Sequence, residues 1–142
     1  MSAPEADGAG TSAGLLAGEL LSAQGLERWS RAVAAAGVLH DGPRATVEIR
    51  VSGGSDGPLS WHAVLEPDAA PRYEPGPLPG ADASYDQTWD EAVGQFSGGY
   101  EPVVAYMQGV LKVKGATRPL YELFKLWADP AHRAATASLL AT

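Results

Sequence analysis

The stretch FSGGYEPVVAYMQGVLKVKG, residues 96–115, carries the pattern that decides the fold. Its Gly-containing turn leads to Pro102, which suits the first turn of a helix because it has no backbone N–H to satisfy. Residues 103–107 supply a short apolar helix. Apolar and polar residues alternate over 110–114, as in a strand with one buried face, and Gly115 ends that strand. The stretch therefore predicts a turn, a short helix and a strand in direct succession.

The residues before this stretch predict most of a sheet. Residues 45–51 and 59–66 both place apolar side chains at every second position, and the Gly-rich segment 52–58 between them favours a hairpin. Residues 72–74 form at most a short edge strand, because prolines surround them. Residues 83–88 alternate again and predict a fourth strand.

Helical patterns flank these strands. A helix is predicted after Ser22, a good N-cap, and a short one over residues 90–96, where acidic residues occupy the first turn. A last amphipathic helix runs from about residue 117 to 127. The pair Asp129–Pro130 interrupts it before a weaker Ala-rich helix.

This order of elements predicts an α+β fold. We expect a mostly antiparallel sheet of about five strands, with helices covering one face. Residues 1–14 are small and polar and are expected to form a disordered tail. Residues 15–142 are long enough for a single domain with its own core.

Composition excludes several classes of protein. The formal net charge of −7 argues against a nucleic-acid partner, since phosphate binding requires clustered Lys and Arg. The absence of cysteine excludes disulfides and thiolate metal sites and fits a cytoplasmic protein. No apolar run is long enough for integral membrane association. Abundant Ala, Gly and Pro are typical of a GC-rich bacterial genome.

Residues 96–115 resemble the signature of the sterol carrier protein type-two family, in which a Gly-containing turn leads through a Pro and an Ala–aromatic pair to a Lys-bearing strand. The matching positions are Gly98, Pro102, Ala105, Tyr106, Gly109, Leu111, Lys112, Val113 and Gly115. The resemblance extends over roughly residues 26–127 and is strongest from Ala81 onward.

The resemblance implies an apolar cavity between sheet and helices, with the segment 120–127 gating its opening. It implies non-catalytic binding or transfer of a hydrophobic small molecule, such as a lipid, a fatty acyl conjugate or a sterol-like polycycle, without cofactor or metal. The residues that it assigns to the cavity lining are Trp61, Tyr85, Gln87, Trp89, Ala92, Phe96, Tyr106, Met107, Leu111, Val113, Leu120, Leu123, Phe124 and Trp127.

The sequence departs from the family pattern near the predicted cavity. Tyr85 and Gln87 stand where the family has an aliphatic alternation, and Ala92 stands where it usually has a bulky aromatic residue. A buried Gln costs free energy unless it is hydrogen-bonded. Gln87 must therefore face solvent, pair with protein or meet a polar ligand group. We expect a wider and more polar pocket, suited to an oxygenated polycycle or an acyl conjugate.

No group of residues predicts a catalytic or metal centre. The three histidines, His40, His62 and His132, lie in unrelated elements without ligand spacing. The acidic residues within 82–91 are explained by a solvated edge and a helix N-terminus, and the Gly-rich segment 53–57 by a hairpin loop.

Two other functions stay open at this point. A small enzyme or catalytic scaffold of a biosynthetic pathway would use the same cavity, with Tyr85, Asp86, Gln87 and His62 as polar candidates. An accessory interaction module would instead show a filled core and an exposed apolar patch.

Overall fold

The computed structural model describes residues 14–97 and 99–140. The predicted tail, apart from Gly14, and Gly98 of the signature lie outside the described residues. Most predicted elements are present. The strands are β1 (Ala45–Ser52), β2 (Leu59–Leu65), β3 (Arg72–Pro75), β4 (Ala83–Thr88) and β5 (Lys112–Gly115).

The helices begin with a 3-10 helix and continue as five α-helices. The 3-10 helix is Ala17–Leu21, and the α-helices are α1 (Ala23–Ala35), α2 (Trp89–Ser97), α3 (Pro102–Met107), α4 (Arg118–Ala128) and α5 (Pro130–Leu139). Ser22 caps α1 as predicted, because its side chain accepts a hydrogen bond from the backbone N–H of Gly25 at 3.0 Å. Asp129 caps α5 from the point where α4 ends.

The five strands form one sheet in the order β3-β2-β1-β4-β5. The pairs β1–β2, β2–β3 and β4–β5 are antiparallel, whereas β1–β4 is parallel. These findings confirm the predicted α+β fold and the mostly antiparallel sheet of five strands.

One face of the sheet is apolar and packs against the helices. Tyr85, Ile49 and Trp61 lie in register across β4, β1 and β2, and all three side chains are fully buried. Leu26 of α1 and Leu120 of α4 are also fully buried and belong to the same core. The alternation within each strand therefore sets which side chains meet the helices.

The opposite face of the sheet is polar. Arg50 of β1 donates through Nε to Asp86 of β4 at 2.8 Å and through a terminal nitrogen to Glu48 at 3.2 Å. Exposed ion pairs of this kind contribute little to stability, about 0–1 kcal/mol each. They keep this face hydrated.

Strand β5 begins at Lys112, two residues later than the alternation predicted. Gly109, with φ of 75°, turns the chain after α3, and the following residue is exposed. Gly115 is the last residue of β5, with φ of 88°, and a Cβ there would lie 2.5 Å from the carbonyl oxygen of Asp82. Only glycine fits this close approach between β5 and β4.

Candidate functional site

An open pocket of about 510 Å³ lies among the four C-terminal helices. Phe96 of α2 and Phe124 and Trp127 of α4 contribute aromatic rings to its wall. Its volume lies within the range of about 300–1,000 Å³ typical of small-molecule sites. Glu101 and Arg133, both exposed and 3.8 Å apart, also contribute to the lining.

Trp29 of α1 joins this wall to the core. Its ring stacks on Tyr73 of β3 with centroids 3.8 Å apart and meets the edge of Phe96 at 5.3 Å. The ring centroid of Trp61 lies 5.6 Å from that of Trp29 and 6.4 Å from that of Trp127. Aromatic contacts of this geometry stabilise beyond area burial, by about 0.5–1.5 kcal/mol each. The wall of the pocket therefore packs against further aromatic side chains of the core.

A hydrogen-bond network fixes the polar groups of this wall. Trp127 donates through Nε1 to the Tyr73 hydroxyl at 3.0 Å, and that hydroxyl donates to Nε2 of His132 at 2.7 Å. Trp29 donates through Nε1 to Thr136 at 2.9 Å. Burial lowers the pKa of His132 to about 4, although Asp129 acts in the opposite sense, and burial raises the pKa of Tyr73. Both groups are therefore uncharged at neutral pH.

Other polar groups of the interior have no hydrogen-bond partner among the described residues. Gln87 is only 4% exposed, yet neither atom of its amide is bonded. The indole nitrogen of Trp61 and the hydroxyl of Tyr85 are buried and unpaired in the same way, as are Gln95 Oε1 and the Tyr100 hydroxyl. Burial, with a smaller effect of Tyr100, raises the pKa of Tyr85 well above its ordinary value. These groups are uncharged donors and acceptors.

Comparison with solved structures finds the same architecture in other proteins. A conserved hypothetical protein of Thermus thermophilus, with a suggested sterol carrier role, aligns with a TM-score of 0.64 at 15% identity, over 92% of this chain and 96% of the other. Sterol carrier protein 2 aligns with a TM-score of 0.57 at 14% identity, over 85% and 97%. The chain has the sterol carrier protein fold. This confirms the fold that the resemblance of residues 96–115 implied.

A third structure with this fold is described as palmitated SCP2L2 from Aedes aegypti. It aligns with a TM-score of 0.52 at 16% identity, over 73% of this chain and 95% of the other. Comparisons with protein-family models and with curated proteins give no match. Within residues 14–97 and 99–140, no helix has both the length and the apolar character needed to span a bilayer.

The predicted lining residues fall into three groups within the sterol carrier fold. Three of them, Phe96, Phe124 and Trp127, line the open pocket. A second group is buried in the core behind it: Trp61, Tyr85, Gln87, Ala92, Leu111, Leu120 and Leu123. The remaining residues are peripheral or partly buried: Trp89, Tyr106, Met107 and Val113.

Phe124 contacts both the buried group and the pocket. The centroid of the Phe124 ring lies 6.3 Å from that of Tyr85 and 5.8 Å from that of Trp127. Tyr106 also contacts Phe124, at 6.3 Å. Phe124 therefore contacts both the wall of the open pocket and the part of the interior where Tyr85 lies. The enclosed apolar cavity between sheet and helices stays a prediction.

The four polar candidates of the enzyme hypothesis do not share one site. Tyr85 and Gln87 lie on the face of β4 that meets the helices, whereas Asp86 faces the opposite side with Arg50. The ring of His62 also lies on that opposite side and contacts Glu74 at 3.1 Å. Acid–base chemistry needs groups within hydrogen-bond reach of one substrate atom. These four residues cannot provide it together.

Three residues of the site were not predicted from the sequence. Trp29 belongs to α1, and His132 and Thr136 belong to the weakly patterned Ala-rich helix. The small side chains of α5 let it pack closely against α1, which brings His132 beside Trp29 with ring centroids 5.9 Å apart. In the sequence, the apolar face of α1 indicates that this helix packs against something, but not that its partner is α5.

Helix α3 presents an exposed apolar face beside the pocket. Val103 lines the pocket and is 40% exposed, and Val104 and Met107 are exposed as well, Met107 by 74%. Val110, just after the helix, is also exposed. An exposed patch was expected for the interaction-module hypothesis, together with a filled core. The patch is present, but it adjoins an open pocket.

Proposed function

We propose that this protein binds and carries a hydrophobic small molecule that bears an uncharged polar group. The unpaired amide of Gln87 is the observation that carries this proposal. Gln87 is 4% exposed and its amide has no hydrogen-bond partner among the described residues, which supports a polar ligand group as its partner. A ligand oxygen that accepts from its amide nitrogen would recover the free energy of an unpaired buried group, about 1–3 kcal/mol.

The aromatic wall supports a hydrophobic body for this ligand. Phe96, Phe124 and Trp127 offer apolar surface, and each methylene that leaves water contributes about 0.8 kcal/mol. The palmitated protein of the same fold supports an acyl chain as one form of that body. An oxygenated polycycle is the other form. The remaining predicted lining residues would be reached when Phe124 moves aside.

The electrostatics of the interior favour an uncharged polar group. None of the buried side chains among the described residues is Lys, Arg, Asp or Glu, and His132 is neutral at pH 7. A carboxylate brought to Gln87 would therefore lack a counter-ion and would lose its hydration. An alcohol, a ketone or an ester carries the required oxygen without that cost.

The direct test is competition among three ligands with the same chain length. Stearyl alcohol, methyl stearate and stearic acid would each displace a fluorescent lipid probe from the purified protein at pH 8. We expect the two neutral compounds to bind at least tenfold more tightly than the acid. Equal affinities, or tighter binding of the acid, would contradict an uncharged inner site.

The proposal is a carrier without catalytic residues, located in the cytoplasm and without a nucleic-acid partner. The net charge of −7 supports the last point, since a polyanion would be repelled. The enzyme hypothesis gains no support from Tyr85, Asp86, Gln87 and His62, because the two faces of the sheet separate them.

A further inference from the structure

His40 is fully buried in the connection between α1 and β1. Its Nε2 lies 2.8 Å from the carbonyl oxygen of Pro43, so the Nε2–H donates there. A carbonyl can only accept, so this contact places a proton on Nε2 and leaves Nδ1 at the opposite side of the ring, toward α4. A carbonyl on one ring nitrogen is also the usual way in which a metal-binding histidine is oriented.

Nδ1 of His40 faces a carboxylate oxygen. Oε1 of Glu122, on α4, lies 3.7 Å from Nδ1 of His40, and both atoms are buried without a hydrogen-bond partner among the described residues. A metal ion bound between these two atoms would coordinate both of them. Lys125 brings an ammonium group to 3.6 Å from Oε1 of Glu122, but Nδ1 of His40 has no hydrogen-bond partner among the described residues.

A third ligand atom lies close by. Atoms from His40, Asp41 and Glu122 come within 4.8 Å of one another. The backbone of Gly42 passes close to this cluster, because a Cβ there would lie 2.7 Å from Oε1 of Glu122. Any larger residue at position 42 would occupy the space beside the three ligand atoms.

We propose that His40, Asp41 and Glu122 form a site for a divalent transition-metal ion of the Zn²⁺ type. One imidazole nitrogen and two carboxylate oxygens suit Zn²⁺, and ligands of one such ion lie about 3.4 Å apart, close to the observed separation of Nδ1 and Oε1. The exposed side of the site leaves room for water as a further ligand. Mg²⁺ prefers an all-oxygen shell and is expected to bind poorly.

Lys125 competes for this site. Its ammonium group lies 3.0 Å from Asp41 Oδ1 and 3.6 Å from Glu122 Oε1, and its side chain is largely exposed. Exposed ion pairs of this kind are weak, so a divalent ion can displace the ammonium. The bound ion would join the α1–β1 connection to α4, the helix that carries Phe124 to the pocket.

Calorimetric titration with Zn²⁺ alone tests the site on the full chain. We expect one Zn²⁺ per chain, binding at least tenfold weaker in Glu122→Gln and in Asp41→Asn, and tighter binding in Lys125→Met. The matched control is Glu27→Gln, which removes one exposed carboxylate paired with Arg31 and is expected to bind as the wild type does.

A nitrogen NMR measurement of the histidine rings accompanies the titration, so that the test does not depend on the folding of any variant. Zn²⁺ should shift the Nδ1 signal of His40, and Mg²⁺ should not. A proton shared by Nδ1 and Glu122 would instead leave this signal unchanged by Zn²⁺. That result, or equal affinities in Glu122→Gln and Glu27→Gln, would overturn the proposal.

Discussion

The hydroxyl of Tyr73 donates a 2.7 Å hydrogen bond to Nε2 of His132, joining the edge strand β3 to the last helix behind the pocket. The same hydroxyl accepts from the indole of Trp127 at 3.0 Å. One buried group therefore satisfies two others, and both belong to residues that line the pocket. The hydrogen bond from Tyr73 requires an unprotonated Nε2 on His132.

Because of His132, the protein should become less stable as the pH falls. Its pKa is about 4 in the folded protein and 6.5 in the unfolded chain, so the unfolded state binds more protons between these values. The contribution of His132, at most about 3 kcal/mol, is complete above pH 6.5 and is lost as the pH falls through 4. Denaturant unfolding at pH 7, 5 and 4 measures it. In His132→Gln the fall should be smaller, and parallel curves for the two proteins would contradict this role.

Removing the Tyr73 hydroxyl should destabilise the protein without opening a large cavity. Tyr73→Phe leaves Nε2 of His132 and the Trp127 indole N–H buried without a partner. The expected loss in the free energy of unfolding is about 1–3 kcal/mol. Tyr121→Phe, at a half-exposed position, is the control and should change it by less than about 0.5 kcal/mol. Equal effects of the two substitutions would show that the network contributes nothing.

Gln87→Leu should stabilise the ligand-free protein. The amide of Gln87 is buried and unpaired, and an apolar side chain of similar size removes that cost. The gain should be about 1–3 kcal/mol in denaturant unfolding of delipidated protein. The same variant should lose most of the preference for stearyl alcohol over stearic acid. A destabilised variant with unchanged preference would mean that Gln87 is paired in another way.

Filling the open pocket should abolish ligand binding and leave folding intact. Ala137 and Ala134 of α5 are both exposed, but Ala137 lines the pocket and Ala134 does not. Ala137→Trp is therefore expected to weaken binding of the lipid probe at least tenfold, and Ala134→Trp to leave it unchanged. Thermal unfolding checks that both variants are folded. Equal binding by both would place the ligand elsewhere.

Local patterns predicted most of the elements and the β1–β2 hairpin, but not the pairing of strands that are distant in the chain. The alternation in β1 and β2 is a property of neighbouring residues, so it is readable in the chain. The parallel pairing of β1 with β4 joins distant segments, and no short pattern encodes it. The alternation of apolar and polar residues also predicted too early a start for β5. Gly109 adopts a positive φ and leaves Val110 exposed, so the strand begins only at Lys112.

The candidate site was predicted only in part, because some of its residues are brought together by contacts between distant segments. Phe124 and Trp127 lie on the apolar face of an amphipathic helix, which the sequence displays. His132 reaches the site only because α5 packs on α1, and that contact is tertiary. His40 and Glu122 likewise meet through folding, so their spacing in the chain predicted no metal site.

The central claim, that the protein carries a hydrophobic molecule, is tested most directly by native mass spectrometry of freshly purified protein, followed by extraction of whatever is bound. We predict a mass above that of the chain alone, lost on extraction, from a lipid or polycycle with an uncharged oxygen. A mass equal to that of the chain, unchanged after incubation with stearyl alcohol, methyl stearate and a sterol, would contradict the account.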